Sequence, residues 1–235
     1  MERSLVDVAE RIKRIRDRIE TACAAVNRDP SEVTLMAVTK TVDAARINAA
    51  LACGITHIGE NRVQEFLGKR DGLLLDGVQA HLIGHLQTNK VKQIVGKVDM
   101  IQSVDSERVA RAINSASETC GIVTPVLVEV NIGGEEAKSG IDPEGLEELL
   151  GQMAQMPHLS VQGLMTVPPI LEYSAEKRAI FAKMKKLFID IRDKNIHNIS
   201  MNVLSMGMSS DYEEAIMEGA TLVRVGSAIF GERVY

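Results

Sequence analysis

Short apolar segments alternate with longer amphipathic ones along the 235 residues of the chain. Eight of the short segments combine Val, Ile, Leu and Met with bounding Gly, Pro or polar residues, which is typical of buried strands. The predicted strands are Val33–Thr39, Thr56–Gly59, Ala80–Gly84, Met100–Ser103, Pro125–Val130, Val161–Thr166, Val203–Met206 and Leu222–Val225.

The segments between these strands have the spacing of amphipathic helices. Apolar residues recur at steps of three and four from Leu5 to Ala22, which predicts an N-terminal helix over residues 1–27. Asp105 and the pair Asp142-Pro143 are typical of helix N-termini. A long amphipathic helix is predicted around residues 180–191.

Strands that alternate with helices indicate a parallel sheet in an α/β protein. Eight such strands are the number that closes a (β/α)8 TIM barrel, and 235 residues are enough for one. An open doubly wound sheet is the structural alternative. Since no linker divides the sequence, we expect residues 1–235 to form one barrel domain, with the N-terminal helix packed on it.

Composition narrows the class of function. The 27 Lys and Arg residues against 32 Asp and Glu residues, with 3% aromatics, argue against binding of nucleic acid. No apolar run approaches the roughly 20 residues of a membrane span, and the N-terminus lacks a signal-peptide pattern. The three cysteines are far apart, which argues against disulfides and a metal site. We therefore expect a cytoplasmic protein without a membrane partner.

In a barrel the chemistry lies at the carboxyl ends of the strands, so the residues that follow each strand are informative. Lys40 directly follows the first strand. It is either a solvated flank or an amine that forms a Schiff base with a carbonyl compound. Small and hydroxyl residues follow strands seven and eight, at Ser205-x-Gly207-x-Ser209-Ser210 and Gly226-Ser227. These two loops predict a phosphate site, although Ser209 or Ser210 could also be a plain helix N-cap.

Arg224 lies within the eighth predicted strand, on the same face as Leu222 and Gly226. If Gly226 faces a ligand, Arg224 points into the barrel and needs an acceptor. One interpretation is an internal salt bridge with Glu129 or Glu60. The other is a hydrogen bond to a pyridine nitrogen, because Arg always donates. A phosphate site opposite a Schiff-base lysine suggests a phosphorylated aldehyde, and pyridoxal phosphate has both groups.

Two histidines of the third strand region invite a catalytic interpretation. His81 is expected to open the strand, at the wrong end for chemistry, and His85 is nearer the right end. A supporting or helix-capping role is favoured for both over acid–base work.

Taken together, these segments resemble the pyridoxal phosphate homeostasis proteins, which are single-domain relatives of the barrel domain of alanine racemase. The matching segments run through nearly the whole chain. They are Ala37–Lys40, Gly59–Glu65, His81–Lys90, Asn131–Gly140, Gly163–Thr166, Leu204–Asp211 and Arg224–Gly231.

The resemblance implies a barrel like that of the type III pyridoxal phosphate fold, with the cofactor held by Lys40 as a Schiff base. Asn61 would lie beside the cofactor ring and Arg224 near its pyridine nitrogen. Arg62 stands where the family often has Tyr, which removes an aromatic contact there. No catalytic residue and no metal ligand are implied. The phosphate would be held by Ser205, Ser209, Gly226 and Ser227.

Three functions remain open. The first is a pyridoxal phosphate-binding protein of vitamin B6 homeostasis, a monomer whose candidate partners are apo-enzymes that need the cofactor. The second is a racemase-like enzyme, and the third is a Schiff-base aldolase without a cofactor. The related racemase uses a Tyr from a second domain for one face of its substrate. Since the sequence stops at Tyr235, right after the eighth predicted strand and helix, we expect no such second domain, and only Tyr212 is expected in a rim loop. These features favour the first function, and Arg224 disfavours the aldolase.

Overall fold

The structure, a computed structural model, describes residues 2–135 and 138–231, with side chains from residue 7 onward. Eight parallel strands form a closed barrel in chain order, and β8 pairs with β1 through Met36 and Arg224. This closure confirms the predicted TIM barrel and excludes the open sheet. The strands are β1 (Thr34–Val38), β2 (His57–Glu60), β3 (Gln79–Leu82), β4 (Met100–Val104), β5 (Thr124–Glu129), β6 (Leu159–Met165), β7 (Ile199–Ser205) and β8 (Leu222–Val225).

Most predicted strand bounds differ from the observed ones by one or two residues, and β8 agrees fully. The largest difference is at β7, which begins at Ile199 instead of Val203. Its first half contains Ser200 and Asn202 and is only partly buried, because it lies at the amino-terminal mouth of the barrel. This half alternates apolar Ile199 and Met201 with polar residues, as half-buried strands do, whereas the prediction followed only the continuous apolar run that begins at Val203.

Helices cover the outside of the barrel. The predicted N-terminal helix is α1, and it ends three residues before Asn27, whose φ of 55° is incompatible with helix continuation. α1 buries Val8, Ile12 and Ile15 against the barrel helices α2, α8 and α9. The helices are α1 (Glu2–Ala24), α2 (Ala44–Ala52), α3 (Val63–Lys69), α4 (Val91–Ile94), α5 (Glu107–Cys120), α6 (Leu146–Met153), α7 (Ser174–Asp193), α8 (Tyr212–Met217) and α9 (Ser227–Phe230).

Two helix starts differ slightly from the sequence prediction. Ser106, one residue after Asp105, is the N-cap of α5. Asp142 precedes a 3-10 turn over Pro143–Gly145, and α6 follows this turn. Tight turns of this kind are frequent at helix N-termini, so the predicted start is displaced rather than lost.

The barrel interior contains an unusual number of polar side chains. TIM barrels are normally filled by layers of branched apolar residues. Here six buried polar or charged side chains, each from a different strand, share the interior region with them. They are Glu60, His81, Gln102, Glu129, Ser205 and Arg224. Polar side chains therefore lie inside the barrel as well as at its carboxyl-terminal mouth.

The described residues hold neither a membrane-spanning helix nor a cluster of metal-binding side chains. None of the helices in the described ranges has the length and apolar character needed to span a bilayer. Within the same ranges, no three His, Cys, Asp or Glu side chains come together as metal ligands would.

Candidate functional site

A cavity of about 330 Å³ opens at the carboxyl ends of the strands. Its size is at the lower end for small-molecule sites, which span roughly 300–1,000 Å³. Six of the seven predicted contact residues line it, and Ser205 does not. The lining residues are Val38, Lys40, Asn61, Ile83, Val167, Met208, Ser209, Ser210, Arg224, Gly226 and Ser227.

Lys40 is presented by a braced turn at the end of β1. The next residue, Thr41, has a φ of 62°, which is uncommon for a residue other than glycine. Glu65 accepts a hydrogen bond from the backbone N–H of Thr41, and Lys69 Nζ donates to the carbonyl of Thr39 at 2.7 Å. The peptide groups on both sides of Lys40 are therefore held by side chains of α3.

Glu60 connects the ends of the first two strands. It is 1% exposed and forms an ion pair with Lys69. It also accepts from the Thr39 hydroxyl at 3.0 Å and from the backbone N–H of Asn61 at 2.8 Å. An ion-pair partner and two hydrogen-bond donors thus offset the cost of burying this carboxylate. Glu60 thus fixes the backbone next to two lining residues, Lys40 and Asn61.

Sequence reasoning missed Lys69. The spacing of Glu65 and Lys69, four residues apart on a helix, was an available signal for an ion pair, and the two lie 3.2 Å apart. This spacing did not indicate that the Lys69 ammonium also donates to the Thr39 carbonyl at the end of β1.

The side chain of Asn61 has one buried atom without a partner. Its Oδ1 makes no hydrogen bond with any described residue, although the side chain lines the cavity. A buried carbonyl oxygen that accepts nothing is costly, so such atoms are normally satisfied by protein, water or ligand. Asn61 Oδ1 is therefore suited to accept a hydrogen bond from a ligand.

The loops after β7 and β8 are joined through Ser209. Its Oγ accepts hydrogen bonds from the backbone N–H groups of Gly226, at 3.1 Å, and Ala228, at 3.3 Å. The loop is shaped by Gly207, whose φ is 91° and whose absent Cβ would lie 2.6 Å from Ala215 Cβ. Since Ser209 accepts twice, its own proton is available to the cavity. The Ser209 hydroxyl, fixed by these two amides, and the neighbouring Ser227 form a neutral cradle of hydroxyl donors for an anion.

The alternative interpretation of Ser209 or Ser210 as a plain N-cap of α8 is wrong. Asp211 occupies the N-cap position of that helix and makes no side-chain capping bond. Asp211 Oδ1 instead accepts from the backbone N–H of Met208 at 2.6 Å, which closes the loop below the cradle.

Arg224 lies in the barrel interior with its guanidinium reaching the cavity. It is 3% exposed, and it donates from Nη1 to Ser205 Oγ at 2.6 Å and from Nη2 to the Thr166 carbonyl at 2.7 Å. Burial lowers the pKa of Arg224 to about 10, so the group stays protonated at neutral pH. The expected internal salt bridge is not formed among the described residues, because Glu60 pairs with Lys69 instead.

Ser205 has a different position from the one expected of a phosphate contact. The residue is fully buried beneath the cavity. Its hydroxyl accepts from Arg224 and donates to Gln102 Oε1 at 2.7 Å. Both hydrogen-bonding functions of this side chain are thus directed to protein groups.

Glu129, the other proposed partner of Arg224, carries only part of its charge at neutral pH. Burial, reinforced by the charge of Asp105, raises the pKa of Glu129 to about 7, and the Arg224 charge opposes this shift. The residue is 7% exposed. Arg224 is therefore the dominant charge of the upper barrel interior.

Comparison with known proteins agrees with this geometry. Residues 11–234 match the family described as "Alanine racemase, N-terminal domain". A "Pyridoxal phosphate homeostasis protein" of Aquifex aeolicus is 43% identical, with 98% of this chain and 100% of the relative aligned. The chain belongs to the pyridoxal phosphate homeostasis protein family. A second relative of that name, from Pseudomonas aeruginosa, is 39% identical over 97% of this chain and 96% of its own length.

Solved structures resemble this homeostasis-family protein over nearly its whole length. PipY of Synechococcus elongatus, solved "with PLP bound", is 34% identical with a TM-score of 0.83, covering 95% of this chain and all of PipY. An unknown protein of Bifidobacterium adolescentis is 36% identical with a TM-score of 0.94, covering 98% and 97% of the two chains. Alanine racemase of Corynebacterium glutamicum shares only the fold, with 17% identity, a TM-score of 0.69, and coverage of 98% of this chain and 62% of the racemase.

The family-typical segment Asn131–Gly140 forms part of the rim, except for residues 136–137, which lie outside the described ranges. The side chain of Asn131 donates to the Glu135 carbonyl at 2.9 Å, and Lys138 pairs with the Glu135 carboxylate. Lys138 also donates to the Pro168 carbonyl at 2.9 Å. The segment is thereby tied to the loop that follows β6.

The remaining predicted residues lie away from the cavity. His85 is half exposed, and its Nδ1 lies 3.4 Å from Asp105. His81 lies within β3 and is 4% exposed. Tyr212, expected in a rim loop, is the first residue of α8 and is buried. Tyr173 is the tyrosine exposed on the loop after β6, but it does not line the cavity.

Proposed function

We propose that this protein binds pyridoxal 5'-phosphate in the cavity, with Lys40 as the covalent attachment point, and takes part in intracellular vitamin B6 homeostasis. The observation that carries the proposal is the set of groups meeting in one cavity. An amine, an unpartnered buried oxygen, a guanidinium and an anion cradle all line it. These groups match the aldehyde, ring hydroxyl, ring nitrogen and phosphate of the cofactor.

Each group has a defined chemical task. Condensation of the Lys40 amine with the aldehyde releases one water and attaches the cofactor. Asn61 Oδ1 would accept from the ring hydroxyl. Ser209 and Ser227 would supply hydroxyl donors for the phosphate, and Gly226, which has no side chain, would let the backbone approach it closely. When bound, the cofactor supplies an aldehyde and an electron-withdrawing ring.

Arg224 favours holding the cofactor over racemisation. The guanidinium keeps its proton and can only donate, so it suits an unprotonated ring nitrogen. Such a ring withdraws electrons less strongly than one paired with a carboxylate. A racemase also needs an acid or base on each face of the substrate. Among the described lining residues, no His, Tyr, Asp or Glu accompanies Lys40.

We also propose apo-enzymes that require the cofactor as recipients, and a cytoplasmic site of action. Exposed apolar side chains on the loop after β6, Ile170 at 98% and Tyr173 at 67%, adjoin the lining residue Val167 and offer a protein-docking surface. The three cysteines are free thiols, as expected in a reducing compartment. A monomer remains the expectation for the assembly.

The test is a titration of the purified protein with pyridoxal phosphate, followed by the absorbance of the amine-linked cofactor. Wild type and a control, Lys97→Ala at an exposed lysine, should develop the band, and Lys40→Ala should not. An unchanged band in Lys40→Ala would remove the assignment of Lys40. Robust racemisation of any of several L-amino acids by the loaded protein would favour the enzyme instead.

A further inference from the structure

Four buried side chains form a continuous hydrogen-bond path through the barrel, which we call the interior network: His81, Gln102, Ser205 and Arg224. Arg224 Nη1 lies 2.6 Å from Ser205 Oγ, which lies 2.7 Å from Gln102 Oε1. Gln102 Nε2 lies 2.8 Å from His81 Nδ1. All four residues are at most 4% exposed.

The donors and acceptors of the interior network permit one direction. The guanidinium of Arg224 has no acceptor, so Ser205 Oγ must accept from it. The Ser205 proton then goes to the Gln102 carbonyl oxygen, which turns the Gln102 amide nitrogen toward His81. His81 Nδ1 must therefore accept, which requires an imidazole without a proton at that atom. Burial, with the neighbouring His57 charge, lowers the pKa of His81 to about 3, in agreement with this form.

The interior network crosses the barrel instead of joining only neighbouring strands. Ser205 on β7 and Gln102 on β4 are three strands apart around the closed sheet. Interior polar groups are costly unless every member is satisfied, and a satisfied network is rigid. Adjacent-strand bonds would suffice to hold the sheet together. The bond between Ser205 and Gln102 instead fixes the position of the Ser205 hydroxyl across the barrel. Through that hydroxyl it fixes the position and orientation of the Arg224 guanidinium.

We propose that Ser205, Gln102 and His81 are positioning residues for Arg224. With Nη1 committed to Ser205 and Nη2 to the Thr166 carbonyl, the remaining N–H groups of the guanidinium are presented to the cavity in one orientation. Under the proposed function, on which this inference rests, that orientation selects the ring nitrogen of the cofactor. Ser205 then acts on the ring through Arg224 and makes no contact with the phosphate.

Three probes separate these roles: pyridoxal phosphate, pyridoxal without its phosphate, and inorganic phosphate as a competitor. Dissociation constants are measured for wild type, Ser205→Ala, Gln102→Leu and His81→Asn. The last variant keeps an acceptor oxygen near the place of Nδ1. The matched control is Ser103→Ala, which removes another buried serine, one that donates to a backbone carbonyl at 2.7 Å outside the interior network.

The proposal predicts that Ser205→Ala and Gln102→Leu raise the dissociation constants of pyridoxal phosphate and pyridoxal by the same factor. That factor is about tenfold, the effect of one hydrogen bond to a charged group. Binding of inorganic phosphate is unchanged. His81→Asn stays within about threefold of wild type for every probe, as does Ser103→Ala.

Each other outcome has a definite meaning. A loss confined to pyridoxal phosphate and inorganic phosphate would make Ser205 a phosphate contact and overturn the proposal. Equal weakening of all three probes would indicate general structural damage and would overturn it too. Wild-type binding of both aldehyde probes by Ser205→Ala and Gln102→Leu would also overturn it. If wild type binds neither aldehyde probe, the proposed function fails and the inference falls with it. Should Gln102→Leu not fold, Ser205→Ala alone decides the same comparison.

Discussion

The buried imidazole of His81 makes the stability of the fold depend on pH in a defined window. The residue is 4% exposed, and burial lowers the pKa of His81 from 6.5 to about 3. Between these values the unfolded chain binds a proton that the folded chain does not. The free energy of unfolding therefore rises with pH through the window, and the His81 contribution is fully present above pH 6.5.

The magnitude follows from the two pKa values. At pH 5 the unfolded histidine lies 1.5 pH units below its own pKa, since that pKa is 6.5. At about 1.4 kcal/mol per unit, this lowers the free energy of unfolding by roughly 2 kcal/mol relative to pH 8. Replacement of His81 by Asn removes the titrating group while keeping a polar acceptor. The variant should therefore not show this decrease in the free energy of unfolding between pH 8 and pH 5.

Urea unfolding followed by circular dichroism at pH 8 and pH 5 measures the effect. Wild type should lose about 2 kcal/mol more between the two pH values than His81→Asn does. The control is His197→Asn at an exposed histidine, which should behave as wild type does. His57 also has a lowered pKa, but it is present in all three proteins and largely cancels in the comparison. A difference below about 0.5 kcal/mol would refute the buried neutral state of His81.

Three further changes test the other parts of the site. Burial raises the pKa of Glu129 to about 7 from 4.5, so the stability from its protonated form is present below pH 4.5 and lost by pH 7. Glu129→Gln should therefore be about 3 kcal/mol more stable than wild type in urea unfolding at pH 8, and no gain there would contradict the raised pKa of Glu129. Ser209→Ala removes a hydroxyl donor of the cradle and the acceptor of the Gly226 amide, so the affinity for inorganic phosphate in calorimetry should fall about tenfold. Unchanged affinity would place the phosphate elsewhere. Lys69→Met leaves the Glu60 carboxylate buried and unpaired and should cost about 3–5 kcal/mol of unfolding free energy. Adding Glu60→Gln to this variant should restore most of it, and a double variant as unstable as the single one would show that the pair is not the cause.

The barrel was predictable because its signal is local. Each strand is a short apolar run and each helix has a 3.6-residue period, so the order of elements can be counted along the chain. The position of the cavity followed from the barrel, since parallel strands bring their carboxyl ends together. For this reason Lys40, Asn61, Ser209 and Arg224, from four distant segments, were expected at one mouth, and they line one cavity.

The contacts inside the barrel were not predictable in the same way. Ser205 and Gln102 are 103 residues apart, and no periodicity connects them. The sequence shows that acceptors for Arg224 exist, but it does not show which of them lie within reach. It therefore suggested the carboxylates of Glu129 and Glu60, whereas the guanidinium donates to a hydroxyl and a carbonyl.

The central claim is that Lys40 carries the cofactor, and it is tested most directly by borohydride reduction of the protein loaded with pyridoxal phosphate, followed by peptide mass mapping. The account predicts the reduced cofactor on the peptide that contains Lys40 and no label in Lys40→Ala. A label of equal yield on Lys69 or Lys138, two other lysines at the same mouth of the barrel, would contradict it.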